Sequence, residues 1–284
     1  MRQLLALCGK TPLVKITDRV YGKLETYNPS GSVKDRMVSY VVNEALLRGE
    51  IDHDTVLCDA TSGNTGIALS MVAASLGLRC VIFMPANMSE ERRQMMRVYG
   101  AEIVDAPDDD FVGAIEMRDE LLFENAKCWS PLQFSNPDNT RCHETVTGPE
   151  ILRDVKQLGK DWSAFIHGSG TGGTIEGVRR FVKSSNLETK IVMVQPHESP
   201  HGIQGIADGK EFLAKDCDMD QIVKVKTVDA IERAKLFAQK TGLLVGISAG
   251  ANILASERWV LKNPGEGIVV TMLCDRGERY MSVY

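Results

Sequence analysis

The sequence predicts an α/β fold built on mostly parallel sheet, and three observations carry that expectation. Short apolar runs recur along the whole chain, amphipathic stretches with recognisable helix ends lie between them, and Gly- and Ser/Thr-rich turns sit where a run passes into a helix. The runs are "TVLCDA" (55–60), "RCVIFM" (79–84), "AEIVDA" (101–106), "AFIH" (164–167), "KIVMVQ" (190–195) and "GIVVTML" (267–273). Near-continuous apolar runs of this length suit strands covered on both faces, which places helices on both sides of the sheet.

The helices between them have readable ends. In "YNPSGSVKDR" (27–36), Pro29 and Gly31 make a turn, and Ser32-x-x-Asp35 has the spacing of a helix start. That helix runs to about Arg48 and is closed by Gly49. Ser89 precedes "EERRQMMRVYG", with Glu90 and Glu91 in the first turn, where the helix dipole favours carboxylates, and Gly100 as the stop. The segment 196–220 is the one extended irregular region, and long loops tend to line sites. No repeat, low-complexity linker or long charge block interrupts the pattern.

Composition narrows the function classes. The 284 residues are 43% hydrophobic and 25% charged, the balance of a globular protein of one large or two moderate domains. A formal charge of -5 and the absence of a Lys/Arg-rich run argue against a general nucleic-acid binder. The N-terminal apolar run from Leu4 to Leu7 is shorter than the roughly 7–15 residues of a signal-peptide core. The longest apolar stretch, Ile67 to Leu78, carries Ser70 and Ser75 and is too short to span a bilayer. Seven cysteines without a C-x-x-C suggest reduced thiols, and a cytoplasmic location is expected, with neither nucleic acid nor membrane as partner.

Three motifs invite functions that their context does not support. Gly168, Gly170 and Gly173 satisfy G-x-G-x-x-G, yet a dinucleotide site wants an acidic residue about 20 positions on, and the next strand ends in Gln195. "GISAG" (246–250) matches the hydrolase elbow, whose acid and histidine should follow the serine; all five histidines precede it. "HESPH" (197–201) has the H-E-x-x-H spacing of two zinc ligands on a helix, but Pro196, Pro200 and Gly202 make it a loop, so no metal is expected.

The remaining turns share one chemistry. Lys34 falls in the first turn of its helix, where the positive end of the dipole disfavours an ammonium, and a neutral lysine amine is what Schiff-base chemistry requires. A surface lysine after a turn fits the same stretch. "ATSGNTGIALSM" (60–71) opens a helix with Thr61, Ser62, Gly63, Asn64 and Thr65, a plausible carboxylate cradle or simply a capped turn. "FIHGSGTGGTIEGV" (165–178) offers a second anion site, and Ser248 opens a third helix. Lysine, cradle and phosphate loop together are economically read as a site for pyridoxal 5'-phosphate (PLP), although spacing alone leaves the bland readings open.

"NPSGSVKDR", "TSGNTGIAL", "GTGGT", "GISAGA" and "CDRGERYMS" fall in the order and approximate spacing of the cysteine synthases (O-acetylserine sulfhydrylases), and the resemblance covers Thr11 to Ser282. "MPANMSEERRQMMRVYGAE" and "CDRGERYMS" most resemble the B isozyme, and "HGIQGIADG" the A isozyme. The resemblance implies the tryptophan-synthase-like PLP fold (fold type II), with two open, twisted, mostly parallel sheets and flanking helices. It implies a larger cofactor-binding domain of residues 1–34 and 138–284, and a smaller mobile domain of residues 35–137 carrying the substrate loop. Carried over residue by residue, it implies Lys34 as Schiff-base partner and base. Asn64 would bond the ring hydroxyl oxygen, Gly170, Thr171, Gly172, Gly173 and Thr174 the phosphate, and Ser248 the ring nitrogen. Thr61, Ser62, Gly63, Thr65 and Gln133 (in "PLQFSNP") would hold the substrate carboxylate.

The implied reaction is β-replacement on O-acetyl-L-serine or a related activated serine, through an aminoacrylate, with a sulfide donor giving L-cysteine. Alternatives within the resemblance are a cystathionine β-synthase-like reaction, phosphoserine or thiosulfate as substrate, and a serine or threonine dehydratase. A catalytically silent relative binding a partner's tail is a further alternative, opposed by the intact Lys34. A homodimer and the C-terminal tail of serine acetyltransferase are the implied protein partners. No N-terminal haem segment or C-terminal regulatory domain is expected, which argues against a full-length cystathionine β-synthase.

Overall fold

The computed structural model describes residues 4–61, 63–207, 212–215, 217–265 and 267–284. In chain order the first elements are β1 (Leu13–Lys15), β2 (Val20–Leu24), α1 (Lys34–Arg48), β3 (Val56–Ala60), α2 (Asn64–Leu76) and β4 (Arg79–Pro85). Then come α3 (Glu90–Val98), β5 (Glu102–Ala106), α4 (Phe111–Glu124), β6 (Cys128–Trp129), α5 (Pro137–Cys142) and α6 (Gly148–Gln157). The remainder is β7 (Trp162–Gly168), α7 (Gly173–Ser184), β8 (Lys190–Pro196), β9 (Gln221–Val225), α8 (Thr227–Thr241), α9 (Ile247–Lys262) and β10 (Ile268–Leu273). The six expected apolar runs are β3, β4, β5, β7, β8 and β10.

The chain divides into two compact units. The smaller comprises Met1–Gly9 and Asn28–Asp138, and its sheet is parallel in the order β5-β4-β3-β6. Alternation along the central strands explains how it is covered. Leu57, Cys80, Ile82 and Met84 pack with Met37, Val38, Val41, Val42 and Ala45 of α1 and with the apolar residues of α2. Val56, Cys58, Ala60, Val81 and Phe83 point the other way, against Ala114 and Ile115 of α4. Both faces are therefore buried, and truncating a fully enclosed side chain such as Ile82 to Ala would cost roughly 2–5 kcal/mol.

The larger unit comprises Lys10–Tyr27 and Asn139–Tyr284. Its sheet runs β1-β2-β10-β7-β8-β9, parallel except for the antiparallel β1–β2 pair. Ala164, Ile166, Val192, Val194 and Val269 form one apolar face with Ile247, Ala251 and Ala255 of α9 and Ala230 of α8. β2 carries Lys23, whose side chain is fully buried; its ammonium meets Glu150 and Asp154, each at 2.6 Å, and donates to the Thr11 carbonyl.

The expected division between residues 34 and 35 differs from the observed one. Residues 28–34 belong to the smaller unit, because Lys34 is the first residue of α1 and the apolar side of α1 is part of that unit's core; Asp138 and the segment before Lys10, also expected in the larger domain, fall in the smaller unit too. Among the described residues, no helix is long and apolar enough to cross a membrane.

Candidate active site

The Lys34 turn is built differently from the expected capping arrangement. α1 begins at Lys34, Val33 occupies the cap position without a side-chain bond, and Gly49 closes the helix in a left-handed conformation. Asp35 is buried and accepts from the Ser30 N–H (2.6 Å) and the Ser30 hydroxyl, while Ser32 Oγ stands 3.4 Å away. The carboxylate thus reaches back past Ser32 to Ser30, and it folds the Pro29–Gly31 turn under the start of the helix. At the second expected capping site, Ser89 Oγ donates to Glu91 Oε2 (2.8 Å) and makes no bond to the backbone of α3.

The expected substrate loop follows β3 in the same unit. The Thr61 N–H donates to the Phe83 carbonyl (3.1 Å), and the Gly63 N–H to Thr61 Oγ1 (3.3 Å). Asn64 and Thr65 open α2. Thr65 Oγ1 donates to Gln133 Oε1 at 2.8 Å across 68 residues of sequence, and both side chains are buried. The expected cradle is therefore one cluster for Thr61, Gly63, Thr65 and Gln133; Ser62 lies outside the described residues.

Beneath this loop, Asp59 of β3 is fully buried. Its Oδ1 accepts from the Ala60 N–H (2.9 Å) and stands 3.4 Å from both Arg118 Nη1 and Ser130 Oγ. Oδ2 has no hydrogen-bond partner among the described residues. Burial pushes the Asp59 carboxyl up to about 7, against the opposing pull of the Arg118 charge. Arg92, from α3, lies against the loop: a Cβ built on Gly63 would stand 3.2 Å from its Nη1.

The expected phosphate loop of the larger unit joins β7 to α7. Gly172 takes a left-handed conformation (φ 84°), and α7 starts at Gly173, so its first-turn N–H groups have no carbonyl partners within the helix. The loop is tied from outside at Ser169, Thr171 and Thr174. Asn139 Nδ2 donates to Thr171 Oγ1 (3.1 Å), and a 3.1 Å bond joins Thr174 Oγ1 to His143 Nε2. His143 is fixed in turn by Thr147 (2.9 Å) within a π-helical turn, His143–Thr147. The Ala207 N–H donates to the Ser169 carbonyl (2.9 Å) and the Leu213 N–H to the Thr171 carbonyl (3.0 Å), so the irregular segment after β8 does border the loop.

Two observations fit a phosphate. A Cβ on Gly170 would stand 2.5 Å from the Gly205 carbonyl oxygen, so the loop has room only for bare backbone there. The Ser169 hydroxyl is buried without a hydrogen-bond partner among the described residues, a donor left for a ligand. Ser248 is buried in the first turn of α9, in the same unit. "HESPH" is a loop: Glu198 Oε1 accepts the Thr227 N–H (2.6 Å), and His201 Nδ1 accepts the Ile203 N–H (3.0 Å). Among the described residues no group of three or more His, Cys, Asp or Glu could hold a metal ion.

The sequence reading missed Ser169, Asn139, His143 and Asn252. Ser169 lay inside the quoted loop and could have been found; the other three reach the loop from distant segments and left no spacing signal.

The family model described as pyridoxal-phosphate dependent enzyme matches residues 4–275. The chain belongs to that family. It is 39% identical to the cysteine synthase of Staphylococcus aureus, over 97% of this chain and 94% of that one. It is also 39% identical to cysteine synthase B of Campylobacter jejuni, over 97% and 95%. Its fold superposes on the crystal structure of an O-acetylserine dependent cystathionine beta-synthase from Helicobacter pylori with a TM-score of 0.91 and 32% identity, covering 99% of this chain and 97% of that one. The fold is the tryptophan synthase β-like one of PLP enzymes, and the loop residues just described fit its cofactor.

Proposed function

We propose that this PLP-dependent enzyme forms L-cysteine by β-replacement, taking O-acetyl-L-serine or a related activated serine and a sulfide donor. The bond between Thr65 and Gln133 carries the reading, because it joins the two halves of a cradle suited to an amino acid's carboxylate. When bound, PLP supplies the electron sink that acidifies the α-proton of an amino acid. Gly170, Thr171, Gly172, Gly173 and Thr174 hold its phosphate through backbone N–H groups and hydroxyls. Asn64 bonds the ring hydroxyl oxygen. Ser248 would offer the ring nitrogen a neutral hydroxyl and so would not favour its protonation.

Thr61, Ser62, Gly63, Thr65 and Gln133 fix the substrate carboxylate and so orient the Cα–H bond. The Lys34 amine takes that proton as general base, the β-substituent departs, a sulfur nucleophile adds to the β-carbon, and Lys34 returns the proton. A cytoplasmic location, a homodimer and capture of a serine acetyltransferase C-terminal tail belong to the same reading. Similarity to the Helicobacter pylori enzyme supports a second reading, in which an amino-acid thiol replaces sulfide.

The test is an assay of purified protein with O-acetylserine and sulfide, run against phosphoserine, thiosulfate and homocysteine, with Lys34→Ala as the control. Cysteine formation should be fastest from O-acetylserine and sulfide and should be abolished in Lys34→Ala without loss of fold. Near-normal turnover in that variant would sink the mechanism.

A further inference from the structure

Asn252 is fully buried one helical turn beyond Ser248 on α9. Its amide is satisfied on both sides. Oδ1 accepts the Gly168 N–H (2.9 Å), while Nδ2 donates to the Met272 carbonyl (2.9 Å) and stands 3.2 Å from His167 Nδ1. The first two bonds admit only one orientation of the amide, so Nδ2 must be the donor to His167.

These partners lie where the sheet comes apart. The register between β7 and β10 ends at the Ile166–Thr271 pair, with Thr271 Oγ1 donating to the Ile166 carbonyl (2.6 Å). Beyond it β7 stays on β8 through Gly168, and β10 stays on β2 through Leu273. The Gly168 N–H and the Met272 carbonyl are thus the groups that a continued ladder would have used, and the Asn252 amide bridges them instead. In open α/β sheets such a divergence at the C-terminal strand ends is where ligands bind. Here the phosphate loop leaves β7 directly after Gly168.

We propose that Asn252 is a positioning residue for the cofactor: its amide fixes the width of the split between β7 and β10. It thereby sets the separation between the phosphate loop and the Ser248 turn that one PLP molecule must span. This rests on the reading that residues 170–174 take the phosphate and Ser248 the ring nitrogen. A ligand engaging only one end does not need that separation; a ligand engaging both does.

The test titrates full-chain protein, stripped of cofactor, with three probes: PLP, pyridoxal and inorganic phosphate. In Asn252→Leu, PLP should bind about tenfold or more weakly, as expected when buried hydrogen bonds are lost. Pyridoxal and phosphate should stay within about twofold of the parent, and the 31P resonance of bound PLP should shift or broaden. Asn252→Asp guards against a Leu variant that does not fold. Its carboxylate still accepts from Gly168 but cannot donate to Met272 until protonated, so its PLP affinity relative to the parent should recover as pH falls. Unchanged PLP affinity and 31P signal in the folded variants would overturn the proposal, as would parallel weakening of all three probes, which marks a merely structural role. Gly170→Val separates the two levels. If it keeps both PLP and phosphate, the loop reading fails and the proposal with it; if it loses both while the Asn252 variants bind normally, the Asn252 proposal fails alone.

Discussion

The two turns proposed to bind anions, Thr61–Thr65 in the smaller unit and Gly170–Thr174 in the larger, share one plan and differ in what surrounds them. Each follows a buried parallel strand and opens a helix. Around the phosphate loop the neighbours are stiff: the Gly205 carbonyl lies where a Gly170 Cβ would go, and Asn139, His143, Ala207 and Leu213 each hold a loop atom. The turn after β3 is also held by a backbone carbonyl, Phe83, at Thr61, but the Cβ positions of Gly63 and of Gly66 just beyond it face side chains, Arg92 and the Met96 methyl (2.7 Å). On the proposed roles, the turn set against a backbone carbonyl keeps the cofactor, and the turn set against flexible side chains takes and releases the substrate.

The largest effect expected from this contrast is at Gly170. Gly170→Val drives a side chain into a backbone carbonyl, and PLP affinity should fall roughly 100-fold. Gly63→Ala is the matched control. The atoms nearest a Gly63 Cβ belong to the flexible Arg92 side chain, the closest at 3.2 Å, so cofactor occupancy should not change. Equal damage in both variants, read by cofactor titration, would erase the distinction between the turns.

Asp59 sharpens the contrast from below, since it is an ionisable group under the substrate loop. Its folded-state pKa of about 7 lies above the ordinary carboxylate value of 3.8. Between those values the folded protein holds a proton that the unfolded chain has released. Stability from this group is therefore present at low pH and lost as pH rises toward 7, by at most about 1.4 kcal/mol per unit. Asp59→Asn should melt above the parent at pH 8, with the gap closing toward pH 4. A gap independent of pH would show that Asp59 stays ionised in the folded state.

The smallest effect is at Thr65. Thr65→Val removes one buried bond to Gln133, worth about 1 kcal/mol, and should raise the substrate concentration for half-maximal rate roughly fivefold. Cofactor occupancy should be unaltered. Loss of PLP from this variant would mean that the cradle supports the cofactor rather than the substrate.

What could be read from the sequence follows the same division between local and distant causes. β3, β4, β5, β7, β8 and β10 are legible because central strands covered on both faces must be apolar throughout. β2 is not, because its buried position 23 is a lysine paired with carboxylates from α6. β9 is an edge strand whose residues are mostly exposed, and β6 has two residues, too few for any pattern. Lys34, the cradle and the phosphate loop were legible as turns at helix starts, a local signature. The groups that hold the loop after β7, Asn139, His143 and Asn252, reach it from distant segments. The Ser32–Asp35 spacing marked the helix start; the two side chains are 3.4 Å apart, and the shorter bonds of Asp35 go to Ser30, a partner the spacing did not name.

The buried ammonium of Lys23 has a consequence for how the chain is made. Its partner Asp154 lies 131 residues downstream, on the order of ten seconds of ribosomal synthesis. The neighbour that β2 needs on its other side, β10, is delivered only with residues 268–273. By contrast, the stretch Asn28–Asp138, which holds the whole sheet of the smaller unit, is contiguous and emerges early. The nascent chain must keep residues 10–27 hydrated while the smaller unit forms behind them. The larger unit then closes last, in the step that brings β2 to β10.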